Sequence, residues 1–171
     1  MRKATFYGVL SVAFVLTSFA RLRAGEAKLS PDQLPKAVLD AAKTKFADAK
    51  ILGGVKEVED GKTQFEVSIE KDGQHLVAIY TETGTLTAIE KTITAKELPK
   101  PVRQAIKKRY PKSSIKKVEE ITKEDKVAAY EALVITADKK TIEAVFDPAG
   151  NFVKEEQKEA EPKKEKEKKE D

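Results

Sequence analysis

Two similar stretches of sequence, 64 positions apart, decide how this chain folds. Residues 30–51 read SPDQLPKAVLDAAKTKFADAKI, and residues 94–115 read TAKELPKPVRQAIKKRYPKSSI. Seven of the 22 aligned positions are identical, among them a Leu-Pro-Lys run that begins at Leu34 and again at Leu98. A unit that recurs at a nearly fixed period indicates one structural module present in two copies.

The match continues beyond these stretches, and its offset grows in single-residue steps. Phe-Glu at residues 65–66 corresponds to Tyr-Glu at residues 130–131, and Tyr80 corresponds to Phe146. Loops tolerate insertions better than the elements they connect, so a slowly growing offset is expected between two copies of one module.

Each copy is predicted to open with an amphipathic helix. Ser30 with Gln33, and Thr94 with Glu97, have the spacing of a capping box, in which two side chains satisfy free N–H groups of the first turn. The proline of each Leu-Pro-Lys run suits the start of a regular helix. Apolar residues then recur every three or four positions, as on one buried helix face. They are Leu34, Val38, Ala41, Ala42 and Phe46 in the first copy, and Leu98, Val102, Ala105, Ile106 and Tyr110 in the second.

The rest of each copy alternates apolar and polar residues, which is typical of antiparallel strands. FEVSI at residues 65–69 shows the alternation, and Asp72-Gly73 indicates a hairpin turn before the next strand at residues 75–80. We therefore expect an α+β fold of two tandem repeats, each a helix packed on a roughly four-stranded antiparallel sheet. Units of about 60 residues without disulfides are marginally stable, so the two would gain from a shared interface or a continuous sheet.

The chain divides into four predicted segments. Residues 1–27 are expected to be a signal peptide, because Arg2 and Lys3 precede an uncharged run of 17 residues and Gly-Glu-Ala at residues 25–27 fits a cleavage site. An uncleaved anchor is the alternative. Residues 28–93 and 94–155 are the two repeats. Residues 156–171 are Lys- and Glu-rich and are expected to be a disordered tail.

Composition excludes several classes of function. The chain has 171 residues, no cysteine and one histidine, so disulfides, cysteine nucleophiles and clusters of histidine ligands are excluded. The net charge is +4, but residues 1–27 hold four of the basic residues and one acidic residue. The remainder is therefore close to neutral, and a nucleic-acid-binding surface is not expected.

The motifs of the second copy resemble those of the PepSY-like family, also described as β-lactamase-inhibitor-like. The matching segments are LPKPV at residues 98–102, Tyr-Pro at 110–111, Tyr-Glu-Ala at 130–132 and FDPAG at 146–150. The first copy matches less fully, with Ala47 in place of the proline and Thr81 in place of the aspartate. The resemblance covers about residues 30–155. It implies small exported α+β modules without catalytic activity, and its structural analogy to a secreted β-lactamase inhibitor and to protease propeptides suggests inhibition or protein binding.

One sheet face carries apolar residues where polar ones are expected. If Leu76, Ala78 and Tyr80 face the helix, their neighbours in the strand point to the opposite face of the sheet. A sheet face that is exposed to solvent should carry polar residues. The predicted partner-binding face consists of His75, Val77, Ile79, Ile89, Leu133, Ile135 and Val145. Ile89 belongs to it only if its strand keeps the same phase. Two alternatives stay open: the repeats cover each other, or a bulge changes the register.

The sequence thus predicts an exported, non-catalytic protein-binding module, inhibitor-like, in the cell envelope or outside the cell. The alternatives are an envelope scaffold protein and a small-molecule or cation binder. No cofactor, metal or catalytic residue is expected; His75 opposite Glu66 is too small a ligand set for a metal. The expected partner is an envelope or extracellular protein or peptide and not a nucleic acid. The expected location is periplasmic or secreted, without stable membrane insertion once the signal is cleaved.

Overall fold

The computed structural model of the chain describes residues 27–158 except Asp60. The elements follow one another in the same order in both copies, as the repeat predicts. They are β1 (Ala27–Leu29), a 3-10 turn (Pro31–Gln33), α1 (Lys36–Lys45), β2 (Lys50–Glu59), β3 (Lys62–Lys71), β4 (Gln74–Thr81), β5 (Leu86–Ile93), α2 (Lys100–Arg109), β6 (Ser114–Lys123), β7 (Lys126–Ile135), β8 (Thr141–Phe146) and β9 (Phe152–Lys158).

All nine strands form one antiparallel sheet in the order in which they occur along the chain. The two copies are joined where β5 pairs with β6, residues 89–93 lying opposite residues 118–122. The prediction of two repeats, each a helix packed on its own four-stranded sheet, is therefore wrong. The physical reason is that a separate sheet would leave the backbone groups of β5 and β6 unpaired, whereas pairing these edges satisfies them.

Both helices pack on the same face of this sheet over two apolar clusters. Val38 and Ala42 of α1 lie in a cluster with Phe65, Val67 and Tyr80 from the strands of the first copy. The second cluster repeats this arrangement under α2. Its fully buried members include Leu98, Val102, Val134, Ala144 and Phe146. The helical spacing read from the sequence therefore identifies the buried helix faces correctly.

The helices begin later than the capping boxes suggest. The Ser30 amide donates to Gln33 Oε1 (2.9 Å), and the Thr94 amide donates to Glu97 Oε2 (2.7 Å), so the capping bonds form. They close a separate turn, because a residue that precedes proline is disfavoured in the α region. Leu34 is accordingly extended, and the regular helices start at Lys36 and Lys100, directly after the prolines.

Two predicted segments fall at the ends of the described residues. Residues 1–26 of the predicted signal peptide lie outside the described residues, and Ala27 is the first residue of β1. β9 runs to Lys158, so the first three residues of the segment predicted as a tail lie in a strand, and residues 159–171 lie outside the described residues. Among the described residues, neither helix has the length and apolar character needed to cross a membrane.

Candidate binding surfaces

The sheet face opposite the helices, called the helix-free face below, carries an apolar stripe across five strands. Val77 and Ile79 of β4 lie opposite Glu90 and Ala88 of β5 in the ladder, so these four side chains share one face. The stripe consists of Val77, Ile79, Ala88, Ile121, Ala129 and Val145, all buried. Three residues of the predicted binding face therefore lie side by side in one cluster.

The other residues of the predicted face are placed differently. His75 is exposed near the start of β4, and Leu133 and Ile135 are half-buried in β7. Ile89 lies opposite Ala78 and contacts the cluster under α1, so it belongs to the helix face. Its assignment to the predicted binding face is therefore wrong, because the antiparallel register between β4 and β5 puts Glu90 on the helix-free face in its place.

Six buried glutamates surround the apolar stripe, and sequence reasoning missed them as a group. Each is at most 4% exposed. They are Glu57, Glu66, Glu90, Glu119, Glu131 and Glu143. Alternation along a strand indicates which face a residue lies on, but it does not distinguish a buried glutamate from a solvated one. The signal that was available is the repeat itself, because the glutamate of Phe-Glu at 65–66 recurs in Tyr-Glu at 130–131.

Two of these carboxylates are neutralised by lysines within the face. Lys117 Nζ lies 2.7 Å from Glu119 Oε1, and Lys158 Nζ lies 2.8 Å from Glu143 Oε2. A buried carboxylate is costly unless it is paired, so these lysines offset the burial of their partners. A cavity of about 190 Å³ lies beside this group, between β7, β8 and β9, and is bounded by Glu131, Glu143, Val145, Lys154, Glu155 and Glu156.

Glu90 has a strongly perturbed carboxyl group on this face. Its Oε1 has no hydrogen-bond partner within the described part of the chain. Burial raises the pKa of Glu90 to about 8, and Glu119 adds to the rise while Lys117 opposes it. Glu57 of β2 and Glu143 of β8 also act on it.

A second surface, called the C-terminal patch below, lies where α2 ends and β9 begins. The Arg109 guanidinium stacks on the Phe152 ring, 3.5 Å from its centroid, and its Nε donates to Glu155 Oε2 at 3.1 Å. The Tyr110 hydroxyl donates to the same oxygen, and these bonds lower the pKa of Glu155. Phe152 and Val153 are 39% and 46% exposed. Local sequence patterns do not indicate this patch, because it forms only when β9 passes beside the end of α2.

The described residues contain no group of three or more histidine, aspartate or glutamate side chains arranged to hold a metal ion. His75 lies opposite Glu70 in the ladder, and Glu66 lies opposite Ile79, so the pairing of His75 with Glu66 does not form.

Comparison with known proteins identifies the same module twice. The family model described as "Putative beta-lactamase-inhibitor-like, PepSY-like" matches residues 20–88 and again 78–154, which confirms the resemblance seen in the sequence. No protein of curated function matches the chain in sequence.

Several solved structures share the fold. A DUF2874 family protein from Bacteroides uniformis is 15% identical with a TM-score of 0.60, over 72% of this chain and 88% of that one. A "putative periplasmic" protein from Bacteroides eggerthii gives the same values. A BLIP-like protein from Bacteroides fragilis is 17% identical with a TM-score of 0.54, over 71% and 84% of the two chains. At such identities the likeness shows a shared fold.

Proposed function

The chain belongs to the PepSY-like, beta-lactamase-inhibitor-like family, and from this premise we propose that it is an exported, non-catalytic module that binds another protein. Its place of action is the periplasm or the outside of the cell. The similarity to a structure described as periplasmic and the family's likeness to inhibitors support this proposal. The expected partner is an envelope or extracellular protein or peptide.

The observation that carries the proposal is the ring of buried carboxylates around the apolar stripe of the helix-free face. Burying six glutamates beside Val77, Ile79 and Val145 lowers the stability of the fold, because carboxylates lose hydration there. Groups that cost stability are concentrated at functional sites. The stripe and its glutamates are themselves buried, so a partner contacts this face at its accessible margin, where the half-buried Leu133 and Ile135 lie on the same side of the sheet as Glu143. Such a margin is complementary to a partner segment that carries apolar residues.

The test is capture of a partner by the full chain from periplasmic extract and culture medium, followed by titration of the purified partner. The matched variants are Leu133→Ser with Ile135→Ser, which remove the two accessible apolar side chains of this face, and Val58→Ser, which removes an exposed apolar side chain from β2. Each variant is first shown to fold by circular dichroism and thermal melting.

We expect the partner to bind the parent and Val58→Ser alike and to bind the folded double variant about tenfold more weakly or worse, as for loss of buried apolar contact. Equal affinity for the double variant would exclude the helix-free face. Failure of the chain to bind any protein from either source would contradict the protein-binding function itself.

A further inference from the structure

The repeat provides an internal example of how one copy of this module receives another strand. Lys45, the last residue of α1, forms an ion pair with Asp125 in the turn between β6 and β7 (Nζ–Oδ1 3.2 Å). Beside it, β5 pairs its outer edge with β6. A cleft of about 360 Å³ remains between the start of β5 and this hairpin. The exposed ion pair adds little stability by itself, but it marks where the incoming turn lies.

The second copy has the same features at its end. Arg109, the last residue of α2, stands where Lys45 stands in α1, and Phe152 stands where Leu86 begins β5. β9 is the counterpart of β5, and among the described strands it pairs with β8 alone. The surface that receives a strand and a turn in the first copy is therefore exposed in the second.

Arg109 is arranged to receive a carboxylate there. Its hydrogen bonds to Tyr110 and Glu155 both use Nε, and its terminal Nη groups make no hydrogen bond within the described part of the chain. Stacking on Phe152 fixes the plane of the guanidinium. A planar guanidinium with two outward N–H groups binds a carboxylate in a bidentate manner.

We propose that the C-terminal patch and the outer edge of β9 together receive an antiparallel strand from a partner protein, with a carboxylate of that strand bound by Arg109. The β5–β6 junction supplies the register. There Thr122 lies opposite Ile89, and Asp125 follows three residues later. Glu155 of β9 corresponds to Ile89 of β5, at the same offset that matches Tyr80 with Phe146. The partner's carboxylate is therefore expected three residues after the partner residue that pairs with Glu155. This surface is distinct from the helix-free face, so the inference does not depend on the proposed function of that face.

The occupant is a different protein rather than a second copy of this chain. The strand of this chain that corresponds to β6 is β2, and β1 already pairs with its outer edge at residues 54–56. Charged residues along β9, including Lys154, Glu155 and Lys158, oppose pairing with unselected strands. They therefore favour a partner whose charges match.

The experiment uses a peptide from the internal example as its probe. A peptide of residues 118–132, VEEITKEDKVAAYEA, is closed by a disulfide between added terminal cysteines, which take the places of Lys117 and Leu133, opposite each other in the β6–β7 ladder, so that it is a hairpin before binding. It is titrated into the full-length 15N-labelled chain while amide chemical shifts are followed. We expect saturable shifts along β9 and at the end of α2.

Charge reversal supplies the controls. Arg109→Glu in the protein, or Asp125→Lys in the peptide, is expected to raise the Kd about tenfold or more, and the two reversals together are expected to restore binding. Lys108→Glu changes the net charge equally on an exposed neighbouring position and should leave the Kd unchanged. A melting scan checks that each variant folds.

Three results would overturn the inference. They are an absence of β9 shifts at millimolar peptide, a Kd that Arg109→Glu leaves unchanged, and shifts confined to the cleft beside Lys45. Sedimentation of the full chain over a range of concentrations adds a fourth, because association that Arg109→Glu abolishes would make a second copy the occupant.

Discussion

At the residue scale, the turn glycine that each copy carries before its last strand is held against a helix. Gly84 has φ +82°, and a Cβ at this position would lie 2.5 Å from the carbonyl oxygen of Ala37 in α1. Gly150 has φ +87°, and a Cβ there would lie 2.7 Å from the carbonyl of Pro101 in α2. Both the backbone conformation and the close approach therefore require glycine.

We expect Gly150→Ala to destabilise the chain far more than Gly73→Ala. Gly73 also has positive φ, but a Cβ at this position would have no atom within 4 Å of it. Replacing Gly73 by alanine therefore lowers the free energy of unfolding only through the strain of the left-handed backbone conformation, about 1–2 kcal/mol. Gly150→Ala adds a backbone clash of about 1–3 kcal/mol. Urea unfolding of the two variants measures the difference, and equal free energies of unfolding would contradict this account.

A second residue-scale prediction concerns Glu90 and pH. The carboxyl group loses its proton near pH 4.5 when the chain is unfolded but near pH 8 when it is folded. Between these values the folded state binds more protons, so the contribution of Glu90 to stability falls as pH rises and is constant above about pH 8. The slope from this group is at most about 1.4 kcal/mol per pH unit.

Glu90→Gln is therefore expected to flatten the dependence of unfolding free energy on pH between about 4.5 and about 8. Glu82→Gln, in an exposed turn, serves as the control and should keep the parent's slope. Urea unfolding at a series of pH values gives the comparison. A Glu90→Gln slope identical to the parent's would show that this carboxyl ionises normally in the folded state.

At the element scale, each helix directly follows a proline whose carbonyl accepts the first helical bond. The Leu39 amide donates to Pro35 at 2.9 Å, and the Arg103 amide donates to Pro99 at 3.0 Å. The capping boxes lie outside the helices and close the preceding turns. They therefore position the helices relative to β1 and β5 without setting the helix lengths.

Gln33→Ala and Glu97→Ala, which remove the oxygens that accept from the Ser30 and Thr94 amides, should each lower the free energy of unfolding by about 1 kcal/mol, with no change in helix length. Backbone chemical shifts of residues 36–45 and 100–109 report the helix length directly. Loss of helical shifts at Lys36 or Lys100 in these variants would instead make the boxes true caps of α1 and α2.

At the scale of the whole molecule, the continuous sheet links the stabilities of the two copies. The β5–β6 ladder crosses the boundary between them, and the apolar stripe includes Val77 from the first copy and Val145 from the second. Contacts of this kind make the copies unfold in one transition.

Val38→Ala and Val102→Ala, at equivalent fully buried positions, provide a matched pair for this prediction. Each should lower stability by about 2 kcal/mol. Hydrogen exchange of β3 and of β7, followed by mass spectrometry, should lose protection equally in both variants. Protection lost only in the copy that carries the substitution would show two independent units.

Sequence alone determined the local features of this protein. Helical spacing identified Val38 and Val102 as buried, strand alternation placed Tyr80 and Val134 towards the helices, and the repeat identified the family. These features depend on short-range periodicity, which each copy carries within itself.

Only the tertiary structure decided how the copies combine. It pairs β5 with β6 and brings Arg109 onto Phe152, and both contacts join residues that are distant in sequence. It also sets the register between β4 and β5, which turns Ile89 towards the helices and Glu90 away from them. Backbone hydrogen bonding is the same for every residue type except proline, so the sequence of an edge strand does not specify which strand it will pair with. That choice was made by the geometry of the assembled sheet.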